Sequence, residues 1–255
     1  MQFYQVLNDY NPTKMKLIHL DKIHSTNDYL KSLVLKQKLD DFTVVKADFQ
    51  EAGKGQRGNK WLSEPGENLT MSLYKEFAYL PIIDQFKISM QTAIALYRAL
   101  ATLTDQVAIK WPNDLLLGGK KVGGVLIETS VKGSCISWVI IGIGININQT
   151  NFKGLPNATS ILLHTTNKES PEYFFNILIP LLEKHLENVV LLPFKALKKE
   201  YESLLFGYLK PLKFEVKGVV FTGVIQGVTP LGALIVRNEA GTLKEFMLKE
   251  IKMVF

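Results

Sequence analysis

The longest apolar run in the chain stretches from Trp138 to Ile147, with Asn146 as its one polar side chain. It falls well short of the ~18 to 20 residues that a membrane-spanning helix needs, so it is read as a buried strand. A buried strand requires a sheet and a packed core around it. The composition can supply both: 255 residues, 47% hydrophobic and 21% charged, are too apolar for a disordered chain and long enough for one large domain or a medium one plus a small one.

Neighbouring segments extend the sheet. Residues 107–110, 121–128 and 137–146 have strand character, with turns at Gly118-Gly119 and Lys132-Gly133, and strands at this spacing pair mostly antiparallel. Residues 42–45 and 71–74 are two further predicted strands. Helical spacing is seen after the Ser25-Thr26-Asn27-Asp28 cap (Leu30, Leu33, Val34), in Phe86, Met90, Ala93, Tyr97 and Leu100, after Ser170-Pro171, and in Phe194, Leu197, Tyr201 and Leu204. Beyond Gly207 the texture changes to short β-rich runs (212–217, 219–226, 233–237, 242–248) punctuated by glycine, as in a small barrel. The expected organisation is therefore residues 1–206 and 207–255, an α+β domain with a mixed, mainly antiparallel sheet followed by a small β unit.

Composition also narrows the function. Cys135 is the one cysteine and cannot form an internal disulfide; it is expected as a buried strand residue. The scattered His19, His24, His164 and His185 do not have zinc-ligand spacing. The first fourteen residues lack the basic start and apolar centre of a secretion signal, so a cytoplasmic location without membrane attachment is expected. The net charge of +6 is spread along the chain and does not form a nucleic-acid footprint.

Two motif matches fail on context. Gly53-Lys54-Gly55-Gln56-Arg57-Gly58 satisfies G-x-G-x-x-G, yet the residues after it (Asn59-Lys60-Trp61-Leu62-Ser63-Glu64-Pro65) cannot form the long helix a dinucleotide fold requires. Val107-Ala108-Ile109-Lys110 spells a kinase strand, but H-R-D and D-F-G are missing. What remains is a glycine loop with Lys54, Arg57, Lys60 and Trp61, residue types suited to cradling a polyphosphate or adenylate. Downstream, Lys110-Trp111-Pro112-Asn113-Asp114 precedes Lys121, the glycine pair Gly123-Gly124 and Glu128, and then Gly142-Ile143-Gly144-Ile145-Asn146-Ile147-Asn148. A lysine leading into a glycine pair in a strand puts one cation in a confined site that side chains do not block.

Taken in order, Ser25-Thr26-Asn27, the 53–61 loop, residues 110–114, 121–128 and 142–148 resemble the successive motifs of biotin protein ligases, the biotin-[acetyl-CoA-carboxylase] ligases. The resemblance implies a class II aminoacyl-tRNA synthetase-like catalytic domain with an SH3-like C-terminal barrel. It implies that biotin and Mg-ATP give biotinyl-5'-AMP, whose biotinyl group passes to a lysine of a biotin carboxyl carrier protein. By the same resemblance Ser25, Thr26, Asn27, Gln50, Gly53, Lys54, Gly55, Gln56, Lys121, Gly123 and Gly124 line the biotin site. Lys54, Arg57, Gly58, Asn59, Trp61, Asn113, Asp114 and Asn146 meet ATP or the adenylate. Lys121 and Arg57 are the catalytic cations, and Mg2+ arrives with ATP and has no dedicated protein site. A homodimer is likewise implied only by the resemblance. Many members carry G-R-G-R-R-G where this chain has Lys54 and Gln56, so charge is kept at Lys54 and lost at Gln56.

A lipoate or other acyl-carrier ligase of the same superfamily is the nearest alternative, and the polar Ser25-Thr26-Asn27 mouth favours a ureido ring over a dithiolane. A biotin-sensing DNA repressor is the alternative of another class. Only 24 residues precede Ser25, too few for three helices at 1.5 Å per residue, so DNA is not expected as a partner.

Overall fold

The computed structural model describes residues 15–254. Strand β1 (Lys16–Ile23) leads through Ser25 into helix α1 (Thr26–Lys36), and β2 (Thr43–Gln50) follows. Ser25 caps α1, its hydroxyl accepting from the Asp28 amide at 3.4 Å. After the glycine loop come β3 (Asn68–Glu76) and α2 (Gln85–Leu100). Two hairpins, β4 (Val107–Lys110) with β5 (Asp114–Leu117) and β6 (Lys120–Lys132) with β7 (Cys135–Asn146), complete a seven-stranded sheet ordered β1-β2-β3-β7-β6-β5-β4. Within it β1–β2 is the parallel pair and the remaining neighbours are antiparallel, as the strand spacing predicts.

Strand β7 lies at the centre, and its buried isoleucines explain why. Ile141, Ile143 and Ile145 point to one face, where they join Leu69, Leu73, Ile94 and Phe174 in the main core. That face is covered by α2 and by α4 (Pro171–Glu187), an amphipathic helix that starts at Ser170-Pro171 as expected. On the opposite face Ile140 packs with Leu30, Val45 and Tyr74 under α1, a much smaller cluster. Half of that second face is thus left open along β7 and β6. Two short elements follow β7: α3 (Ile161–Thr165), which sequence spacing missed, and α5 (Phe194–Ser203) beyond α4. Cys135 opens β7 but is only half-buried, because it sits at the hairpin end and not in the central stretch.

The tail folds as five antiparallel strands, β8 (Pro211–Val216), β9 (Val219–Val228), β10 (Leu234–Asn238), β11 (Leu243–Phe246) and β12 (Lys252–Val254), ordered β11-β10-β9-β8-β12. This small sheet is pinned to the larger part. Phe214, Ile225 and Val236 belong to the main core, and the Val228 amide donates to buried Glu202 of α5 at 2.8 Å. Gly232, at φ +85°, lies against the Phe86 ring, where a Cβ would approach to 2.6 Å; both its backbone angle and its contact require glycine.

One polar pair is buried between α2 and α4. His185 Nδ1 lies 2.5 Å from Gln91 Oε1, while His185 Nε2 and Gln91 Nε2 have no hydrogen-bond partner. Burial, aided by Arg98 and Lys184, lowers the His185 imidazole from 6.5 to about 4. The folded chain therefore keeps it neutral where the unfolded chain takes up a proton. Its contribution to stability is complete above pH 6.5 and lost as pH falls towards 4. We expect His185→Gln to flatten the pH dependence of unfolding free energy across that window by about 3 kcal/mol, measured by urea denaturation at stepped pH; an unchanged slope would contradict it.

Candidate active site

The open half of the second face forms a cavity of about 950 Å³, floored by β7 and β6 and walled by the start of α1, the glycine loop, the 152–158 segment and the end of the small sheet. Pairing register sets what faces it. Gly142 and Gly144 on β7 oppose Leu126 and Gly124 on β6, and Ser72 and Thr70 on β3. A floor with so little side-chain bulk lets other groups lie directly on the backbone.

At one end, polar groups interlock. The Thr26 amide and hydroxyl both donate to Gln50 Oε1, at 2.8 and 3.0 Å. Ser72 Oγ lies 2.7 Å from Thr26 Oγ1 and 2.5 Å from Asn27 Oδ1, and Asn27 Nδ2 donates to Glu128 at 3.1 Å. Glu128 is held in turn by Lys31 at 2.9 Å. The Asn27 amide lies flat on Gly142, where a Cβ would come within 2.1 Å of Oδ1. Ser72 was missed by sequence reading, since one serine in an apolar strand carries no spacing signal.

The cations gather at the middle. Lys121 Nζ donates to Asp114 Oδ1 at 2.7 Å, and the pair lies across Gly124, whose added Cβ would touch Lys121 Nζ at 3.1 Å and Asp114 Oδ1 at 3.3 Å. The Lys121 backbone is clamped by the Asn157 carbonyl (2.7 Å) and the Thr159 amide (2.8 Å). Lys110 is half-buried; desolvation holds its ammonium below the usual range, Asp114 opposes that, and Lys121 and Lys252 add to it. At the far end Asn146 is buried, its Nδ2 donating to the Thr159 carbonyl at 2.9 Å while Oδ1 has no partner. The indole of Trp61 packs on Gly144, where a Cβ would meet its ring at 2.4 Å, and its Nε1 is buried and unpartnered.

The glycine loop is a narrow hairpin. Gly55 N donates to the Asn59 carbonyl (2.7 Å), Trp61 N to the Gly53 carbonyl (2.8 Å), and a short turn at Gln56–Gly58 forms the tip. Lys54 ties it to Asp28 of α1 at 2.7 Å. The Arg57 side chain lies outside the described residues.

Of the expected site residues, Ser25, Thr26, Asn27, Gln50, Lys54, Gly55, Gln56, Asn59, Trp61, Asp114, Lys121, Gly124 and Asn146 all line this cavity. Four do not. Gly123 points to the opposite face, where a Cβ would strike Ile145 at 2.3 Å, so strand alternation makes it a core glycine. Gly53 is buried under the Trp61 carbonyl and pinches the hairpin, while Gly58 gives its tip a φ of +81° over open space. Asn113 is buried and structural: its Nδ2 donates to Ser89 of α2 at 3.0 Å.

Residues 20–146 match the Biotin/lipoate A/B protein ligase family. The chain is 31% identical over 231 residues to a biotin--[acetyl-CoA-carboxylase] ligase of Paracoccus denitrificans, covering 87% of this chain and 94% of that protein. The chain belongs to the biotin protein ligase family. A bifunctional ligase/repressor of Escherichia coli K12 is 28% identical over 243 residues, 92% of this chain and 73% of its own length. Among solved structures, the biotin protein ligase from Aquifex aeolicus in complex with biotin and ATP superposes with a TM-score of 0.76 at 27% identity, covering 94% of this chain and 98% of that one.

Within this biotin protein ligase fold, Gln56 has a definite task. Its Nε2 donates to Asn113 Oδ1 at 2.7 Å and to the Val125 carbonyl at 2.9 Å, latching the loop to β6 and the 111–113 turn. Gln56→Ala removes both bonds at a half-buried site and should raise the rate of tryptic cleavage within residues 54–60 severalfold, with a stability loss of about 1 kcal/mol. Mass-mapped limited proteolysis checks this, and an unaltered cleavage rate would refute the latch.

Proposed function

We propose that the chain is an ATP-dependent ligase that activates biotin as biotinyl-5'-AMP and transfers it to a lysine of a biotin carboxyl carrier protein. The observation that carries this reading is the Lys121–Asp114 pair laid across side-chain-free Gly124, between a polar pocket at α1 and an orphaned acceptor at Asn146. An anion-binding point thus separates two different recognition ends, the layout needed to join a carboxylate to a nucleotide.

At the α1 end, Ser25, Thr26, Asn27 and Gln50 offer short, mutually oriented donors and acceptors suited to a ureido ring, whose buried polar atoms would be costly unpaired. This chemistry favours biotin over lipoate, whose dithiolane has no such groups. At the other end, Asn146 Oδ1 can accept only from a donor, which an adenine amino group provides, and the Trp61 indole offers a ring face.

In the first step the biotin carboxylate oxygen attacks the α-phosphorus, the bond to the bridging oxygen breaks, and pyrophosphate leaves with the electron pair. Two anions must be brought together, and Lys121, released from Asp114 to the reacting oxygens, lowers that repulsion. Lys110, whose burial disfavours its charge, is stabilised in its charged form when an anion arrives beside it. In the second step the carrier amine attacks the acyl carbon and AMP leaves. The glycine loop, closed by Gln56, excludes water from the easily hydrolysed anhydride.

Among the described residues no group of three or more His, Cys, Asp or Glu converges on one point, and Asp114 is the carboxylate of the described cavity wall. Asp114 would hold Mg2+ arriving on the phosphates, where the ion would neutralise oxygen charge. No described helix is long and apolar enough to cross a membrane, and we place the reaction in the cytoplasm.

The chain, Mg-ATP and a carrier domain are to be incubated with biotin or with lipoate and the carrier weighed. A biotinyl mass gain is expected with biotin alone, and no gain with either acid defeats the proposal. Lys121→Ala should lower biotin-dependent ATP–pyrophosphate exchange by ~10³-fold or more, with normal exchange the contrary result.

A further inference from the structure

Glu128 is not part of the described cavity wall, yet it controls a side chain that is. It stands on β6 opposite Ile140 of β7. Its Oε2 accepts from Asn27 Nδ2 at 3.1 Å, and its Oε1 accepts from Lys31 at 2.9 Å. An ionised carboxylate is acceptor-only, so Asn27 must turn its amino group to Glu128 and its carbonyl Oδ1 to Ser72. At the other end of the same corner, the Thr26 amide is donor-only and fixes the Gln50 atom it meets as the carbonyl Oε1.

Between those two carbonyl oxygens run three contacts: Gln50 Oε1 to Thr26 Oγ1 at 3.0 Å, Thr26 Oγ1 to Ser72 Oγ at 2.7 Å, and Ser72 Oγ to Asn27 Oδ1 at 2.5 Å. Each contact needs a proton, and the hydroxyls of Thr26 and Ser72 bring one apiece. However the hydroxyls rotate, one contact is left as oxygen against oxygen. Thr26, Asn27 and Ser72 are all buried, and an unsatisfied acceptor there is costly. Turning the Asn27 carboxamide over would cure the shortage, because Nδ2 would donate to Ser72, Ser72 to Thr26 and Thr26 to Gln50. Glu128 forbids that arrangement, since it would put Asn27 Oδ1 against a negative oxygen.

We propose that Glu128 is a specificity-determining positioning residue: by fixing the Asn27 carboxamide it keeps the corner one hydrogen-bond donor short, so that the cavity selects an acid whose head group brings an N–H. This rests on the ligase reading for the identity of the acid. The ureido ring carries two N–H groups beside its carbonyl, and one of them supplies the missing proton. A head group with a ring oxygen in that place adds an acceptor and deepens the shortage. Lys31 has a different part: it balances the charge of Glu128 through the oxygen that Asn27 does not use.

The test is calorimetric titration of the full chain with biotin and with its two cyclic carbamate analogues, in each of which a ring oxygen replaces one ureido N–H. The unaltered chain should prefer biotin to the weaker-binding carbamate by at least ~10-fold. Glu128→Gln keeps the shape but can donate as well as accept, so Asn27 is free to turn and the preference should fall to about threefold or less. The Glu128 side chain is 31% exposed, and the variant's melting temperature and ATP affinity should stay near those of the unaltered chain. Lys31→Met removes the ion pair and leaves the acceptor-only oxygens in place, so it should keep the preference, whereas a merely structural ion pair would move both variants alike. A preference that survives Glu128→Gln, or that falls equally in both variants, overturns the inference. The two readings fail separately: a chain that shows the preference and its loss in Glu128→Gln but no biotin-dependent ATP–pyrophosphate exchange loses the ligase reading alone, and a chain with normal exchange whose preference ignores Glu128→Gln loses the positioning role alone. Failure of the unaltered chain to bind biotin at all overturns both.

Discussion

The turn at Trp111–Asn113 is the constraint on which the other parts converge. Its three residues are each claimed by a different element. Trp111 Nε1 donates to the Gly232 carbonyl of the small sheet at 3.0 Å, the Pro112 carbonyl accepts from Tyr201 of α5 at 2.6 Å, and Asn113 bonds Ser89 of α2. The free side of Asn113 then receives Gln56 from the glycine loop. Core helix, C-terminal sheet, α5 and the glycine loop thus meet in one tight connection between β4 and β5. Immediately flanking it are Lys110 and Asp114, the residues that set the charge of the cavity floor. Burial raises the Tyr201 phenol well above its usual range, keeping it a hydrogen-bond donor to Pro112.

The sheet divides labour between its faces by simple alternation. Odd-numbered isoleucines of β7 build the core, while the even positions 142, 144 and 146 present two glycines and an asparagine to the cavity. The glycines of β7 accommodate protein side chains, Asn27 over Gly142 and Trp61 over Gly144, and Gly124 accommodates the Lys121–Asp114 pair. The missing Cβ atoms are what allow these side chains to lie so close to the sheet, whose other face is covered by two packed helices.

Much of this was legible in the sequence because periodicity and motif order survive in one dimension. The helices at 85–100, 171–187 and 194–203 and the β6–β7 hairpin follow directly from apolar spacing and turn glycines. Strand β1 was legible only as a strand leading into the Ser25 cap, without bounds, because it is an edge strand with mostly exposed side chains, and β12 was missed because three residues make no pattern. In the site, Lys121, Asp114 and the Ser25-Thr26-Asn27 corner were legible as residues in a familiar order. The separate fates of Gly123 and Gly124 were not, since which of two adjacent glycines faces a ligand depends on register alone. Lys249 and Lys252 were equally hidden: they reach the cavity only through the docking of the small sheet, which no local signal encodes.

The position of β12 also bears on when the site comes into being. Proteins leave the ribosome from the N-terminus, and the cavity floor, the glycine loop and the α1 corner all precede residue 150, yet one wall is made by residues 248–253. The seven-stranded sheet can therefore assemble during synthesis while its cavity still lacks a side. Until that wall docks, the Trp111 indole has no carbonyl from Gly232 to donate to. Synthesis order thus keeps a partly made chain from holding a finished pocket.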